Sequence, residues 1–216
     1  MSEDARSRIV NAAGPIFASK GFQRSTVREI CQAAEVNVAS VNYYFGDKKN
    51  LYIEAVKLAN SLRASQAPMP AMSAETSPET RLRTFIDTLV KRMVGIDDST
   101  WHARLMMREM LQPTGACREI VESHLRPEFH LLLDILRELL PDNVSEHVPY
   151  QVGFSIVGQC LFYRVAGDVV RFIVPAEQFG EHYGVEQLTD HIYRMSIAAL
   201  TGALPDFTRS PISHVG

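Results

Sequence analysis

The segment from Thr26 to Lys48 carries side chains suited to contacts with nucleic-acid bases and phosphates. The amide of Asn42 is able to pair with two atoms of an adenine edge, and the guanidinium of Arg28 with guanine or a phosphate. Val38 and Ala39 are small enough to touch a thymine methyl group, although Val38 also has the spacing of a core residue. The hydroxyl and amino groups of Thr26, Tyr43, Tyr44 and Lys48 would bind the phosphate backbone. The full set of candidate contacts is Thr26, Arg28, Val38, Ala39, Ser40, Asn42, Tyr43, Tyr44 and Lys48.

The spacing of apolar residues in this segment predicts two short helices separated by a tight turn. Thr26 and Glu29 have the spacing of a capping box, which satisfies backbone donors where a helix begins. The positions expected to form a shared core at helical spacing are Val27, Ile30, Ala34, Val41 and Phe45. The remaining residues of the second helix then face outward, which is the layout of a helix-turn-helix motif.

This pattern resembles the N-terminal domain of the TetR family of bacterial transcriptional regulators. The matching positions are Ile9 to Phe17, Gly21, Phe22, Thr26, Val27, Ile30, Ala34, Val36, Val41, Phe45, Lys48 and Leu51. The resemblance implies an all-α fold, in which a three-helix helix-turn-helix DNA-binding domain precedes a larger helical domain for ligand binding and dimerisation. The run Asn-Tyr-Tyr-Phe also resembles a subgroup with asparagine in place of the more usual tyrosine.

Three positions depart from the pattern of the family. Glu35 stands where glycine is common in the turn, and a left-handed backbone there would cost about 1 kcal/mol. Asn42 changes what the second helix is able to read on DNA. Pro15 lies inside the predicted first helix, where we expect it to cause a kink. The operator sequence therefore does not follow from the resemblance.

The composition is that of a folded protein with an uneven distribution of charge. Hydrophobic residues make up 46% of the 216 positions, enough for a sizeable core. The net charge is -3, but residues 1–63 hold nine basic against six acidic side chains. A mildly basic N-terminal part is compatible with binding to phosphates. No apolar signal core or run of about 18 apolar residues occurs, so we expect a cytoplasmic protein without membrane contact.

The sequence contains no pattern typical of a metal site or an enzyme. Cys31, Cys117 and Cys160 lack the paired spacing of a zinc site, and we expect small buried thiols. His124 and His130 would face different sides of a helix, and no nucleophile elbow or triad is recognisable. We therefore predict no enzymatic activity, no metal and no cofactor.

The chain is expected to divide at a linker rich in proline, serine and alanine. We predict a DNA-binding domain at 1–63, the linker at 64–78, a helical ligand-binding and dimerisation domain at 79–204, and a flexible tail at 205–216. Ser77 and Pro78 have the residue types that begin a helix. Proline and glycine are expected to interrupt the helices further on, with Pro127 as a kink and the stretch from Pro175 to Gly184 as a break.

Two segments of the second domain are candidates for a dimer interface. Residues 152–174 read as one helix that is apolar almost all around, so it should be buried on more than one side. A second apolar stripe is expected on 185–204, at Leu188, Ile192, Met195 and Ala199. Pairing of both helices with their copies would form a four-helix homodimer. The alternative is that 152–174 is the core helix of a monomer.

A binding site for a small-molecule effector is expected around the segment Trp101–Leu111. Methionine is frequent on adaptable binding surfaces, and a kink at Pro127 would bring further side chains near. The candidate residues are Trp101, His102, Met106, Glu109, Met110, His124, Phe129, His130, Gln159, Phe162 and Tyr163. The same methionine and aromatic residues are equally typical of an ordinary core.

Taken with the resemblance, these patterns indicate a ligand-responsive DNA-binding transcriptional regulator, usually a repressor that a small molecule releases from a palindromic operator. Its partners would be double-stranded operator DNA, a small-molecule effector and a second copy of the chain. Two alternatives remain open at this point. One is a protein-interaction adaptor that keeps the helix-turn-helix shape without binding DNA, and the other is a redox or metal sensor.

Overall fold

The computed structural model describes residues 4–73, 75–95 and 100–201. All regular secondary structure within these ranges is helical, which confirms the predicted all-α class. The α-helices are α1 Ala5–Arg24, α2 Val27–Ala33, α3 Val38–Phe45, α4 Lys48–Gln66, α5 Pro78–Val90, α6 Trp101–Leu111, α7 Gly115–Ile120, α8 Arg126–Leu139, α9 His147–Val165, α10 Gly167–Ile173, α11 Ala176–His182 and α12 Val185–Leu200. Single π-helical turns lie at Lys91–Gly95 and Val121–Leu125. The predicted tail at 205–216 lies outside the described residues.

The chain divides into two compact units, whose boundaries differ from those of the predicted division. The first unit comprises residues 1–67 and 96–127, and the second comprises 68–95 and 128–216. Residues 96–127 therefore group with the N-terminal segment, because the apolar face of α6 packs into its core through Leu105 and Met106. Among the described helices, none is both long and apolar enough to cross a bilayer.

The first unit is built around α1, α4 and α6. Phe17, Tyr52 and Leu105 contribute one large buried side chain from each of these helices. The rings of Phe17 and Tyr52 meet edge-on with centroids 4.9 Å apart, a favourable aromatic geometry. Burial of these side chains removes apolar surface from water and holds the three helices together.

The helix-turn-helix forms as its sequence predicts. The Thr26 hydroxyl accepts a hydrogen bond from the Glu29 amide at 3.2 Å, so the cap at the start of α2 is confirmed. The Asn37 side chain caps α3 by accepting from the Ala39 amide at 2.9 Å. Glu35 has a φ of 54°, which confirms the left-handed turn between the helices. A residue other than glycine is locally strained in this conformation.

The sequence predicted a kink in α1 at Pro15, but the structure places the kink at Gly21. Gly21 has non-helical dihedrals, φ 75° and ψ 172°, whereas Pro15 retains helical ones. Glycine adopts this backbone without the steric cost that a Cβ atom imposes. The bend therefore lies near the C-terminal end of α1, close to the start of the helix-turn-helix.

The second unit packs α5, α8, α9 and α12 around one apolar core. Ser77 caps α5, and Pro78 occupies its first turn, as predicted. Leu82, Ile135 and Ile156 are buried side chains from α5, α8 and α9. The side chain of Arg92, which is buried, pairs with Glu128 at 2.7 Å.

Several predicted details of the second unit were wrong. The segment 152–174 is two helices, because the chain leaves helical dihedrals at Ala166 (φ -107°, ψ 16°) before Gly167 begins α10. Pro127 follows closely on the π-helical turn at Val121–Leu125, at the start of α8, and its predicted kink stays a prediction. The expected break from Pro175 to Gly184 contains α11. Leu188 and Ile192 face the core of the unit and not an open stripe.

Candidate nucleic-acid interface

Helix α3 presents one buried face and one exposed face. Val41 and Phe45 are buried in the core of the first unit, at 0% and 6% exposure. Asn42 is exposed beside them, and Tyr43 is 82% exposed. A helix of this kind, anchored on one side and polar on the other, has the geometry that enters a major groove.

The remaining candidates on α3 differ in how far they project. Val38 is 46% exposed, which favours its surface interpretation over the core one. Ala39 is exposed and Ser40 is half-buried. Tyr44 is half-buried against the core of the unit, and its ring meets that of Tyr43 edge-on at 4.9 Å. Tyr44 therefore supports the position of Tyr43.

The flanking candidates lie on α2 and at the start of α4. Thr26 is exposed at the cap of α2, and Arg28 is exposed in its first turn. The Lys48 ammonium donates to the backbone carbonyl of Gln23 at 3.5 Å and lies 4.7 Å from the centroid of the Phe22 ring. These contacts hold Lys48 against the end of α1. Such a fixed cation loses less side-chain entropy when it binds a phosphate.

One exposed basic residue near this surface was absent from the candidate set. Arg24 ends α1, two positions before the Thr26 cap, and is exposed. Its signal in the sequence was a basic residue in the last turn of a helix, where a cation complements the helix dipole. A basic residue two positions before a capped recognition motif is also placed to contact the phosphate backbone.

The effector candidates on α6 contribute mainly to the core of the first unit. The ring of Trp101 lies on Gly14, where a Cβ atom would be only 2.3 Å from Cζ3. His102 is buried, with Nε2 3.4 Å from Gln66 Oε1, and burial together with the charge of Arg63 lowers its pKa. Met106 is buried, whereas Met110 is 41% exposed.

Glu109 is the one carboxylate among the effector candidates and is buried, at 2% exposure. It accepts hydrogen bonds from the Tyr52 hydroxyl at 2.7 Å and from the Thr114 amide and hydroxyl at 2.8 and 2.9 Å. Neutral donors therefore satisfy this buried carboxylate. Burial and the carboxylate together raise the pKa of Tyr52. The network joins α4, α6 and the start of α7.

The remaining candidates lie apart from these. His124 is half-buried beside a groove of about 570 Å³, which it lines together with Asn11, Lys57 and Ser61. In the second unit, the Phe129 ring stacks on Phe154 with centroids 4.6 Å apart. His130 and Phe162 are exposed in the same unit, and Gln159 is half-buried there.

Tyr163, the last effector candidate, is half-buried on α9. Its ring centroid lies 6.2 Å from that of Tyr183. Burial raises the pKa of Tyr163, with smaller contributions from Tyr183 and Cys160. Its phenol is therefore neutral at physiological pH.

Cys31 and Cys160 are buried core side chains, as predicted, whereas Cys117 is half-buried. Burial raises the pKa of Cys160 to about 12 and also raises that of Cys31. A thiol with a raised pKa is a poor nucleophile and metal ligand. In the part of the chain that the structure describes, no group of three or more histidine, cysteine or acidic side chains is arranged to hold a metal ion.

Comparison with known proteins identifies both parts of the chain. Residues 9–55 match the family described as bacterial regulatory proteins, tetR family, and residues 78–200 match the C-terminal domain of the HTH-type transcriptional dual regulator CecR. The CecR protein of Shigella flexneri is 23% identical over 177 residues, which cover 78% of this chain and 79% of that protein.

Two solved structures share the fold at low sequence identity. The crystal structure of the superantigen PfiT has a TM-score of 0.65 and 16% identity, and covers 89% of this chain and 96% of its own. The crystal structure of AibR in complex with isovaleryl coenzyme A and operator DNA has a TM-score of 0.59 and 16% identity, with 89% and 97% covered. These similarities establish the fold alone, because one fold serves several functions. The family matches are more specific, and by them the chain belongs to the TetR family of bacterial transcriptional regulators, with a C-terminal domain of the CecR family.

Proposed function

We propose that this DNA-binding regulator is a homodimeric repressor, which binds a palindromic operator and is released from it by a small molecule. The observation that carries the proposal is the exposed face of α3, with Asn42 and Tyr43 projecting from a helix anchored by Val41 and Phe45. No carboxylate lies on that helix to repel phosphates. Asn42 would read a base, and the neighbouring hydroxyl and amino groups would hold the register.

Dimerisation is proposed through an exposed apolar stripe on α9. Phe154, Gly158, Phe162 and Val165 follow one another at helical spacing, and the three larger side chains are 63%, 55% and 52% exposed. A Cβ atom at Gly158 would meet nothing within 4 Å. A glycine between two exposed phenylalanines is suited to close approach of a second helix. Exposed apolar stripes of this kind are typical of interfaces between protein chains.

Helix α12 would contribute a smaller part of the same interface. Met195 is 56% exposed on α12, and His191 and Ala198 are exposed at helical spacing from it. An interface related by two-fold symmetry brings the same patch of each protomer together. A two-fold dimer would also present two copies of α3 to half-sites separated by about one helical turn of DNA, or a multiple of it.

The effector response is proposed as a linkage between two conformations of the dimer. A small molecule weakens DNA binding only to the extent that it prefers the conformation that does not fit the half-sites. AibR, a protein of similar fold, has been crystallised with both isovaleryl coenzyme A and operator DNA. By analogy we propose an organic effector here, with His124 and the groove it lines as a candidate region.

The proposal is tested by selecting duplexes from random-sequence DNA with the purified protein at near-physiological salt. Enrichment of a palindrome is expected, because two identical α3 helices would read inverted half-sites. A folded and dimeric protein that enriches no sequence would contradict the proposal and favour an adaptor without DNA binding. Salt should be held constant, since nonspecific affinity depends steeply on it.

A further inference from the structure

A cavity of about 300 Å³ lies within the first unit, beside the bend in α1. Three of the side chains that line it are cations, Lys20, Arg24 and Arg108, and no acidic residue belongs to the lining. The other lining residues offer amide, hydroxyl and backbone groups and two aromatic rings: Gly21, Phe22, Gln23, Tyr52, Gln112 and Thr114. The walls come from α1, α4, α6 and the connection to α7.

The guanidinium of Arg108 lies against the backbone of α1 at Gly21. A Cβ atom at Gly21 would lie 2.9 Å from Arg108 Nη1, so a side chain at this position would displace the guanidinium. Arg108 Nη2 also donates to the carbonyl of Ser19 at 3.4 Å. The guanidinium is thereby held at the cavity by two features of α1.

The charge of the cavity is only partly neutralised by neighbours. Lys20 pairs with Glu29. Within the described ranges, Arg24 and Arg108 form no ion pair, and their hydrogen bonds go to backbone carbonyls of α1. Glu109 does not line the cavity, and its carboxylate accepts hydrogen bonds from the lining residues Tyr52 and Thr114. Two guanidiniums therefore bring positive charge to one recess without a carboxylate partner.

We propose that this cavity is a binding site for a small multivalent phosphate compound. Guanidinium groups bind oxyanions through paired, charge-assisted hydrogen bonds, and the two here come from different helices. The buried side chain of Tyr52 belongs to the lining, and the exposed side chains of Lys20, Gln23, Arg24 and Gln112 surround the opening, so the site is a solvent-open recess of a size that suits a small molecule. A bound anion would connect the end of α1 to α6 in the unit that carries the recognition helix. The binding itself does not depend on the proposed repressor function.

The test is titration calorimetry of the full chain with inorganic pyrophosphate, at constant ionic strength in a chloride buffer. We expect saturable binding at one site per chain. Arg108→Met keeps an apolar stem against Gly21 but removes the charge, and should weaken binding roughly tenfold or more, as expected for a lost charge-assisted hydrogen bond. Arg104→Met, an exposed arginine of the same helix that does not line the cavity, should bind as the parent does.

A second variant keeps the test valid if Arg108→Met does not fold. Arg24→Gln removes the other guanidinium without disturbing the contact at Gly21, and the same roughly tenfold loss is expected. Absence of saturable pyrophosphate binding, or equal losses in the Arg104 and Arg108 variants, would overturn the proposal. It would also be overturned if pyrophosphate does not bind while both cavity variants weaken binding to random duplex DNA, because the cations would then serve the DNA backbone.

Discussion

The hydroxyl of Tyr52 donates a 2.7 Å hydrogen bond to the carboxylate of Glu109, and this contact joins α4 to α6 inside the first unit. Both side chains are 2% exposed. A buried carboxylate is tolerated only where donors replace its hydration, and the amide and hydroxyl of Thr114 supply the others. The helix that follows the recognition motif is therefore connected to α6 by a polar contact as well as by apolar packing.

Removal of this hydroxyl should destabilise the protein. Tyr52→Phe keeps the ring contacts with Phe17 but leaves Glu109 without one of its donors, at an expected cost of about 1–3 kcal/mol in the free energy of unfolding. Urea denaturation followed by circular dichroism measures the loss. Tyr43→Phe, at a side chain that is 82% exposed, serves as the control and should be neutral. Equal stability of the Tyr52 variant and its parent would show that the contact is not formed in solution.

The hydroxyl of Tyr52 should make the free energy of unfolding depend on pH in the alkaline range. Burial and the Glu109 carboxylate raise the pKa of Tyr52 in the folded state, whereas in the unfolded chain it titrates near 10. Above about pH 10 the unfolded state therefore releases this proton first, and the free energy of unfolding falls.

Tyr52→Phe lacks this proton, so the stability difference between parent and variant should shrink on going from about pH 8 to about pH 11. The pKa of Tyr163 is also raised, but its effect is common to both proteins and cancels in the difference. Urea titrations at the two pH values provide the comparison. A difference that stays constant or grows with pH would contradict the assigned direction of the pKa shift.

Gly14 should not tolerate a side chain. A Cβ atom there would lie 2.3 to 2.7 Å from three ring atoms of Trp101, so Gly14→Ala must displace the indole that begins α6. Overpacking of this kind costs about 1–3 kcal/mol, which thermal or urea unfolding should detect. Gly180→Ala on α11 is the matched control, because nothing lies within 4 Å of its Cβ position. Alanine at position 180 should be neutral or slightly stabilising; a destabilised control would show that the effect at position 14 is not specific to Trp101.

A charge in the middle of the exposed stripe on α9 should prevent dimerisation. Phe162→Glu places a carboxylate on that stripe in both protomers, where a two-fold interface would bury both charges. Sedimentation at micromolar concentration should then give the monomer mass for the variant and the dimer mass for the parent. Leu111→Glu, at an exposed residue of the first unit, should remain dimeric. A monomer mass for the parent protein in the same sedimentation experiment would contradict the proposed dimer.

The helix-turn-helix could be predicted in detail because its signals are local. The Thr26 cap and the burial of Val41 and Phe45 depend on residues within one or two turns of each other, and the structure confirms all three. The left-handed Glu35 was predictable for the same reason, since it stands where a turn requires that conformation. Short-range spacing therefore accounts for this part of the fold.

The details that sequence spacing did not reveal depend on contacts between distant segments. The grouping of α6 with the first unit rests on packing against α1 and α4, and Trp101 on Gly14 is an example that no local pattern indicates. The break at Ala166 interrupts an apolar run that contains no proline, so helical periodicity continued through it. Gly21 was matched only as part of the family pattern, although it is the residue at which α1 bends.

The most direct test of the account is the effect of Asn42→Ala on specific and on nonspecific DNA binding. Affinities for the selected palindrome and for a random duplex should be measured at the same salt concentration, with Asn143→Ala, an exposed asparagine of the second unit, as the control. We predict a loss of about 1–3 kcal/mol on the palindrome and little change on the random duplex, because an amide that reads a base contributes only where that base is present. Equal losses on both duplexes, or none on either, would contradict the claim that the exposed face of α3 reads sequence.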